Sequence, residues 1–582
     1  MSLEEIRKTL PDPQSSAMGL TPEDLRDGKK IPDPEIWDVG ETLGGCYIFF
    51  HAGTVDSAAP NTFEHPSEDS TLALNTLRRF GNQVEIFTTE TDICQADAPG
   101  ATEPEWFKPN CPLPYDEATW RSIETLLHRS WFKRIWVLQE ALLSGPKAVV
   151  QCGSTNVPWL AIQKSIIALQ DRESMPPTLN ELIRAYCSGI TPSGGQIVRR
   201  LLTWGRGRQC TDPRDRVYGI LGLVPEPLRT RINVDYTKPV SHAYIEMVMA
   251  EVEVSKQLGF LKECFLGSKM PGMPSWVPNL SPETANNNES RAMYQRWHSA
   301  TLNSAAVARF VDPDVLEVEG VHCGIVSSLG PRASETPADR LKSFIAWQTL
   351  TVQLAREGTV AAQLDACLYL LLGGFFKRSV IVDLAEVRSL YLRAVSGDAA
   401  AFDALPGFMN IHYPINETGT YFLTDAGYVG LGPEEVQSGD HVCSFLGSRF
   451  LELLRPGPSA GTFTVVGPCI VGGLMSGESL LGPLPEQWTM IIAGHHESGD
   501  YKGHYITFRN SASCETSLDD PRIPPLSTDW EVTRKMKMPN QTGWYYNYYR
   551  NKQTGQVKNF DPTLLPQTLR DRGVNVGVFR LV

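Results

Sequence analysis

The densest run of chemistry-bearing side chains in this 582-residue chain is Trp131-Phe132-Lys133-Arg134-Ile135-Trp136-Val137-Leu138-Gln139-Glu140. At helical spacing, Trp131, Ile135, Leu138 and Leu142 form one apolar stripe, while Trp136 and Glu140, four residues apart, share a different face. Gly145-Pro146 supplies the stop signal for such a helix. An indole beside a carboxylate admits two readings. In one, the second face packs on another element and Glu140 is paired with a cation. In the other, the face is a pocket wall with Trp136 as platform and Glu140 as the working group.

A second cluster is Asp212-Pro213-Arg214-Asp215-Arg216-Val217-Tyr218, followed by Leu221-Gly222-Leu223. Asp212 suits a helix cap, Pro213 the first helical position, and Asp215 the first turn, where an anion opposes the helix dipole. Arg214 and Arg216 are then left for pairing, with Glu140 as the expected partner. His495, His496 and His504 lie close in sequence, yet no carboxylate or cysteine set completes a ligand pattern, so no metal is expected. The twelve cysteines are dispersed without a C-x-x-C pair, as expected of free thiols in a chain with ample core.

The elements that must position these residues belong to a folded chain of two to four domains, given its length and a 42% hydrophobic content. A net charge of −13 argues against a general nucleic-acid surface, so nucleic acid is not an expected partner. The opening MSLEEIRKTLPDP is acidic and polar, and the longest apolar run, Ala366 to Phe376, is too short to span a bilayer. The expected location is the cytoplasm, with the nucleus also open to it.

Residues 1–40 read as an extended arm. Residues 41–260 read as an α/β domain. It has strands at Cys46 to His51, Val84 to Phe87 and Ala148 to Gly153. Helices are expected from Ser67, from Asp116 to Leu127, from Trp159 to Leu169, over 179–188 and 196–204, and from Val240 to Glu253. Thr91 to Pro114 reads as a loop. A connector with strands follows over 261–335, including Val315 to Val321, then a helical region over 336–410. From Gly419 the period changes to two, and 411–515 reads as a small antiparallel barrel or sandwich. Residues 516–582 form an aromatic meander and tail. With Trp530 and Gly543-Trp544-Tyr545-Tyr546 this meander resembles a WW module, with Phe560 near the place of the second tryptophan; it also reads as an aromatic hairpin packed on the barrel.

Three stretches in this order resemble the fungal heterokaryon-incompatibility (HET) domain family: Ser130-Trp131-Phe132-x-Arg134-x-Trp136-x-x-Gln139-Glu140, Asp212 to Tyr218 with Leu221-Gly222-Leu223, and Val234-Asp235-Tyr236. The later segment, Thr424-x-x-Gly427-Tyr428-x-Gly430-Leu431-Gly432-Pro433 with Gly439-Asp440, is similar to the tail of that family's larger members. Relative to the family, the chain joins the pattern at Cys46 to Gly53. It lacks the tyrosine-rich first strand and the cysteine-isoleucine-asparagine-glutamine strand, so the resemblance implies a HET domain without its N-terminal part.

The resemblance implies a protein of non-self recognition, acting through protein association and cell-death signalling, with protein partners and a homo-oligomer among the expected assemblies. HET domains are in turn distantly similar to TIR domains. That similarity implies an alternative in which Glu140 cleaves NAD as a substrate with Trp136 in the nucleotide pocket, the carboxylate favouring an oxocarbenium-like transition state. No bound cofactor is implied. A further alternative is an accessory protein of a secondary-metabolite gene cluster.

Overall fold

The computed structural model describes residues 67–143 except 89–92, 148–184 except 153, 154, 171 and 173, 202, 205–281, 299–332 except 313, 341–347, 384–405, 419–533 except 498 and 499, and 548–582. It also describes short strand segments between 41 and 50 and positions 339, 368 and 370.

The N-terminal layer is built on a small mixed sheet. Strand β1 (Ile48–Phe50) runs parallel to β4 (Val149–Cys152), which pairs antiparallel with β5 (Thr155–Pro158). Between them in sequence come helix α1 (Ser67–Gly81), strands β2 (Val84–Thr88) and β3 (Ile93–Asp97), and helix α2 (Glu117–Leu127). Helix α1 packs on α2 and on α5 (Trp159–Leu169). Asp116 caps α2, its carboxylate accepting from the Thr119 amide at 2.9 Å. The segment from Thr91 to Pro114 is not all loop: Ile93–Asp97 forms a hairpin with Val84–Thr88, in a register that places Phe87 opposite Cys94.

The stretch around Trp131 is not one helix. It divides into α3 (Ser130–Lys133) and α4 (Val137–Leu143), with Arg134 extended at φ −79°, ψ 142°. The cause is tertiary. Ile135 donates to the Gln209 carbonyl at 3.0 Å, and Arg134 forms a parallel bridge with Gln209, so a strand-like pairing outcompetes the next helical turn. Gly145-Pro146 lies outside the described residues. The chain continues through α6 (Asp215–Tyr218) and the long α7 (Val240–Ser255), which buries Tyr244, Met247 and Val248. Most of 185–204 lies outside the described residues.

The second layer is one eight-stranded sheet. It gathers β6 (Ala308–Asp312), the 18-residue β7 (Val315–Arg332), β8 (Thr420–Thr424), β9 (Val429–Gly432), β10 (His441–Phe445), β11 (Leu451–Pro456), β12 (Thr462–Val471) and, after a long excursion, the C-terminal strand Val576–Leu581. Strand β7 pairs with β10 through Gly320–Ile325 and with β8 through Val326–Arg332, so the order β8-β9-β12-β11-β10-β7 returns to β8 and closes a barrel. The sheet thus draws strands from the stretches 261–335, 411–515 and 516–582 together. Gly430 and Gly432 are required by close approach: a Cβ at Gly430 would sit 2.2 Å from the Phe422 ring.

Of the helical region, Leu384–Val395 and Ala399–Ala404 are described, and Tyr391 and Phe344 pack with Trp347 against Tyr421 of the barrel. The rest of a bundle there lies outside the described residues. Trp530–Thr533, Tyr548–Asn551 and Val557–Lys558 form a three-stranded antiparallel meander. In it the Lys558 ammonium sits 4.9 Å from Trp530 and 5.2 Å from Phe560. Trp544 to Tyr546 lie outside the described residues. The meander docks on the N-terminal layer through Asn559, which donates to the Ser255 carbonyl at 2.8 Å.

One core joins the two layers. Leu261, Cys264, Trp276 and Val277 share a buried cluster with Leu316, Cys443, Leu454, Val465, Phe579 and Leu581. Among the described residues, no helix is long and apolar enough to cross a membrane.

Candidate functional site

All three sequence clusters converge on one place. The break at Arg134 turns Trp136 toward α6, where its indole N–H donates to Asp215 Oδ2 at 3.3 Å. The other oxygen of Asp215 accepts from the Tyr236 hydroxyl at 2.6 Å. Tyr236 packs edge-on against Tyr218 with centroids 5.3 Å apart, and the Tyr218 hydroxyl bridges the Asp235 backbone at 3.3 Å to both its N–H and its carbonyl. Gln139, 7% exposed, donates to the Tyr218 carbonyl at 3.3 Å. Gly222 leaves room for it, since a Cβ there would fall 2.4 Å from Gln139 Oε1.

The cations of the Asp212 cluster serve this node rather than Glu140. Arg214 pairs with Asp212 at 2.6 Å, lies over the Tyr236 ring at 5.3 Å and donates to the Tyr236 and Lys238 carbonyls. Its hydrogen bond is the main influence holding the Asp212 carboxyl below the usual range. Arg216 is buried and donates to the carbonyls of Gly205, Arg206 and Arg208 at 2.9–3.1 Å. The expected pairing of either arginine with Glu140 is therefore corrected, because each is saturated locally. Asp212 also does not cap α6: its carboxylate turns back on the Arg214 amide at 2.9 Å, and Arg214 occupies the cap position.

Glu140 looks the other way. Burial raises its carboxyl above the usual range, opposed by the charge of Arg134 and a hydrogen bond from the Trp131 indole. Arg134, at the extended turn six residues upstream, supplies the charge that opposes this rise. Trp131 is itself fixed edge-on to Phe132 and Trp159, at 5.1 and 6.0 Å. Chemically, the node around Asp215 is a filled hydrogen-bond scaffold. Glu140 is a half-buried motif carboxyl whose proton affinity burial raises, with the Trp131 indole N–H bonded to it.

Sequence reasoning missed several supports of the node. Arg208 donates to the Phe132 carbonyl at 2.7 Å, Tyr244 donates to the Pro213 carbonyl at 3.0 Å, and Arg206 makes a buried pair with Glu263 at 3.0 Å. The run Gly205-Arg206-Gly207-Arg208 was the available signal, since arginines flanked by glycines suit buried contact with carbonyls. Among the described residues, no group of three or more His, Cys, Asp and Glu could hold a metal ion.

The motifs and the closed barrel are accompanied by similarity to proteins of the heterokaryon-incompatibility class. Residues 410–483 match the Het-6 beta-barrel domain family. The chain is 24% identical over 457 residues to "Heterokaryon incompatibility protein 6, OR allele" of Neurospora crassa, a similarity covering 60% of this chain and 65% of the relative. The match therefore spans about two thirds of that relative's length, just under that fraction. The two matches support the assignment of this chain as a HET-family protein. No solved structure matches.

Proposed function

We propose that this protein acts in fungal non-self recognition of the heterokaryon-incompatibility type, working through association with other proteins and coupling to a cell-death response. The observation that carries this reading is the saturation of the motif residues. Asp215, Arg214, Arg216 and Gln139 are each engaged by partners within the chain. Such a node holds surfaces in place rather than presenting free reacting groups. The similarity to an incompatibility protein points the same way. The test is association: the full chain is mixed with allelic forms of heterokaryon-incompatibility proteins and complex formation is followed by sedimentation. Complexes with some allelic forms and not others support the reading; no complex with any form counts against it.

A second reading rests on Glu140, whose raised carboxyl and Trp131 and Arg134 neighbours suit a nucleotide-cleaving carboxylate of the TIR-like kind. Here the chain would release nicotinamide from NAD, and Glu140→Gln would abolish the release. Release unaffected by that substitution, or no release at all, removes this reading.

A further inference from the structure

The barrel wall carries a buried ionisable group with no hydrogen-bond partner among the described residues. Glu452 lies on β11 directly across from Cys443 of β10 and Pro468 of β12, and is fully buried. Among the described residues, neither carboxyl oxygen has a hydrogen-bond partner. Its strand neighbours Leu451 and Leu453 point into the barrel's own core. Glu452 shares the opposite face with Cys443 and Leu454, which belong to the core joining the barrel to the N-terminal layer. Across that joint, the turn Leu261–Glu263 packs on β12, and the Cys264 carbonyl lies 3.5 Å from where a Cβ at Gly467 would be.

We propose that Glu452 is a proton-controlled latch: as the neutral acid it seals the joint between barrel and N-terminal layer, and loss of its proton loosens that joint. Burial alone pushes its carboxyl up to about 8. The described groups around the joint do not stabilise the anion. Cys443, Cys469 and Cys264 are buried thiols whose own ionisation burial opposes first and Glu452 further disfavours. The cations near Cys264 are committed elsewhere: Arg206 and Lys262 each lie 3.0 Å from Glu263. Burial raises the Glu263 carboxyl, but Lys262 and Arg206 outweigh it and bring it down to about 2. Glu263 therefore stays ionised while Glu452 is neutral. An anion formed at Glu452 must admit water or move apart from its surroundings, and the joint is the seam that can part.

The experiment is hydrogen–deuterium exchange on the full chain, corrected for intrinsic rate, between about pH 6 and pH 9, bracketing the Glu452 value. In the wild type, opening of residues 258–265 and 451–456 is expected to rise about tenfold or more across this interval, with its midpoint near 8. Glu452→Gln, a neutral mimic of the acid, is expected to remove the rise. The same rise in Glu452→Gln overturns the proposal, as does no rise in the wild type. Infrared spectroscopy of the wild type is the second measurement, independent of whether the variant folds. A protonated carboxyl persisting at neutral pH supports the latch; a Glu452 already ionised at about pH 6 overturns it.

Discussion

Trp136 and Asp215, 79 positions apart in sequence, are joined by an indole-to-carboxylate hydrogen bond of 3.3 Å, and the same carboxylate takes the Tyr236 hydroxyl at 2.6 Å. One side chain thus ties the Trp131, Asp212 and Val234 stretches into a single node. Asp215→Ala leaves both donors without their acceptor. The expected cost is about 1–3 kcal/mol by urea unfolding, and that of Tyr236→Phe about 1 kcal/mol or less because Tyr236 is half exposed. Equal effects of the two would show that the Trp136 bond contributes nothing.

Arg216 is the deeper support. It is 5% exposed and holds the carbonyls of Gly205, Arg206 and Arg208. Arg216→Met strands those acceptors in the core, with an expected loss of about 3 kcal/mol, and Arg216→Lys recovers only part of it because one ammonium cannot span the fork. Chemical denaturation of the soluble fraction measures both.

Much of the N-terminal layer can be read from local sequence. Asp116 announces its helix, and apolar runs place the strands at Val84 and Val149 because their partners lie nearby. The break at Arg134 cannot be read this way. Its extended backbone is imposed by Gln209, which no local pattern connects to it. On a continuous helix Arg134 and Glu140 would lie on different faces; with the break between them, the Arg134 charge still acts on the Glu140 carboxyl. Strand Val576–Leu581 alternates in burial, yet its place between Leu316–Val321 and Thr462–Phe463 is set by a pairing more than 100 residues distant.

Gly222 and Gln139 should be coupled. Gly222→Ala forces the Gln139 amide off the Tyr218 carbonyl, with an expected cost of about 1–2 kcal/mol. In Gln139→Ala the space is already clear, so the second substitution should cost about 0.5 kcal/mol or less. Additive effects in this double-mutant cycle would contradict the packing described.

Glu452 fixes the sign of a pH dependence. Its carboxyl is raised from the ordinary 4.5 to about 8 by burial, so the folded chain holds a proton that the unfolded chain releases. The stability cost is absent below pH 4.5, grows as pH rises toward 8, and is constant above it. Glu452→Gln should therefore stabilise the protein at neutral pH by on the order of a few kcal/mol and flatten the stability profile over that window. Thermal unfolding as a function of pH measures this, and an unchanged slope in the variant would contradict it.

The most direct test of the proposed function is viability after fusion. Fungal strains expressing this chain are paired with strains carrying allelic forms of incompatibility proteins, and death of the fused cells is scored beside Asp215→Ala and Glu140→Gln versions of the chain. Death is expected in specific pairings, lost in Asp215→Ala and retained in Glu140→Gln. Healthy fused cells in every pairing would contradict it.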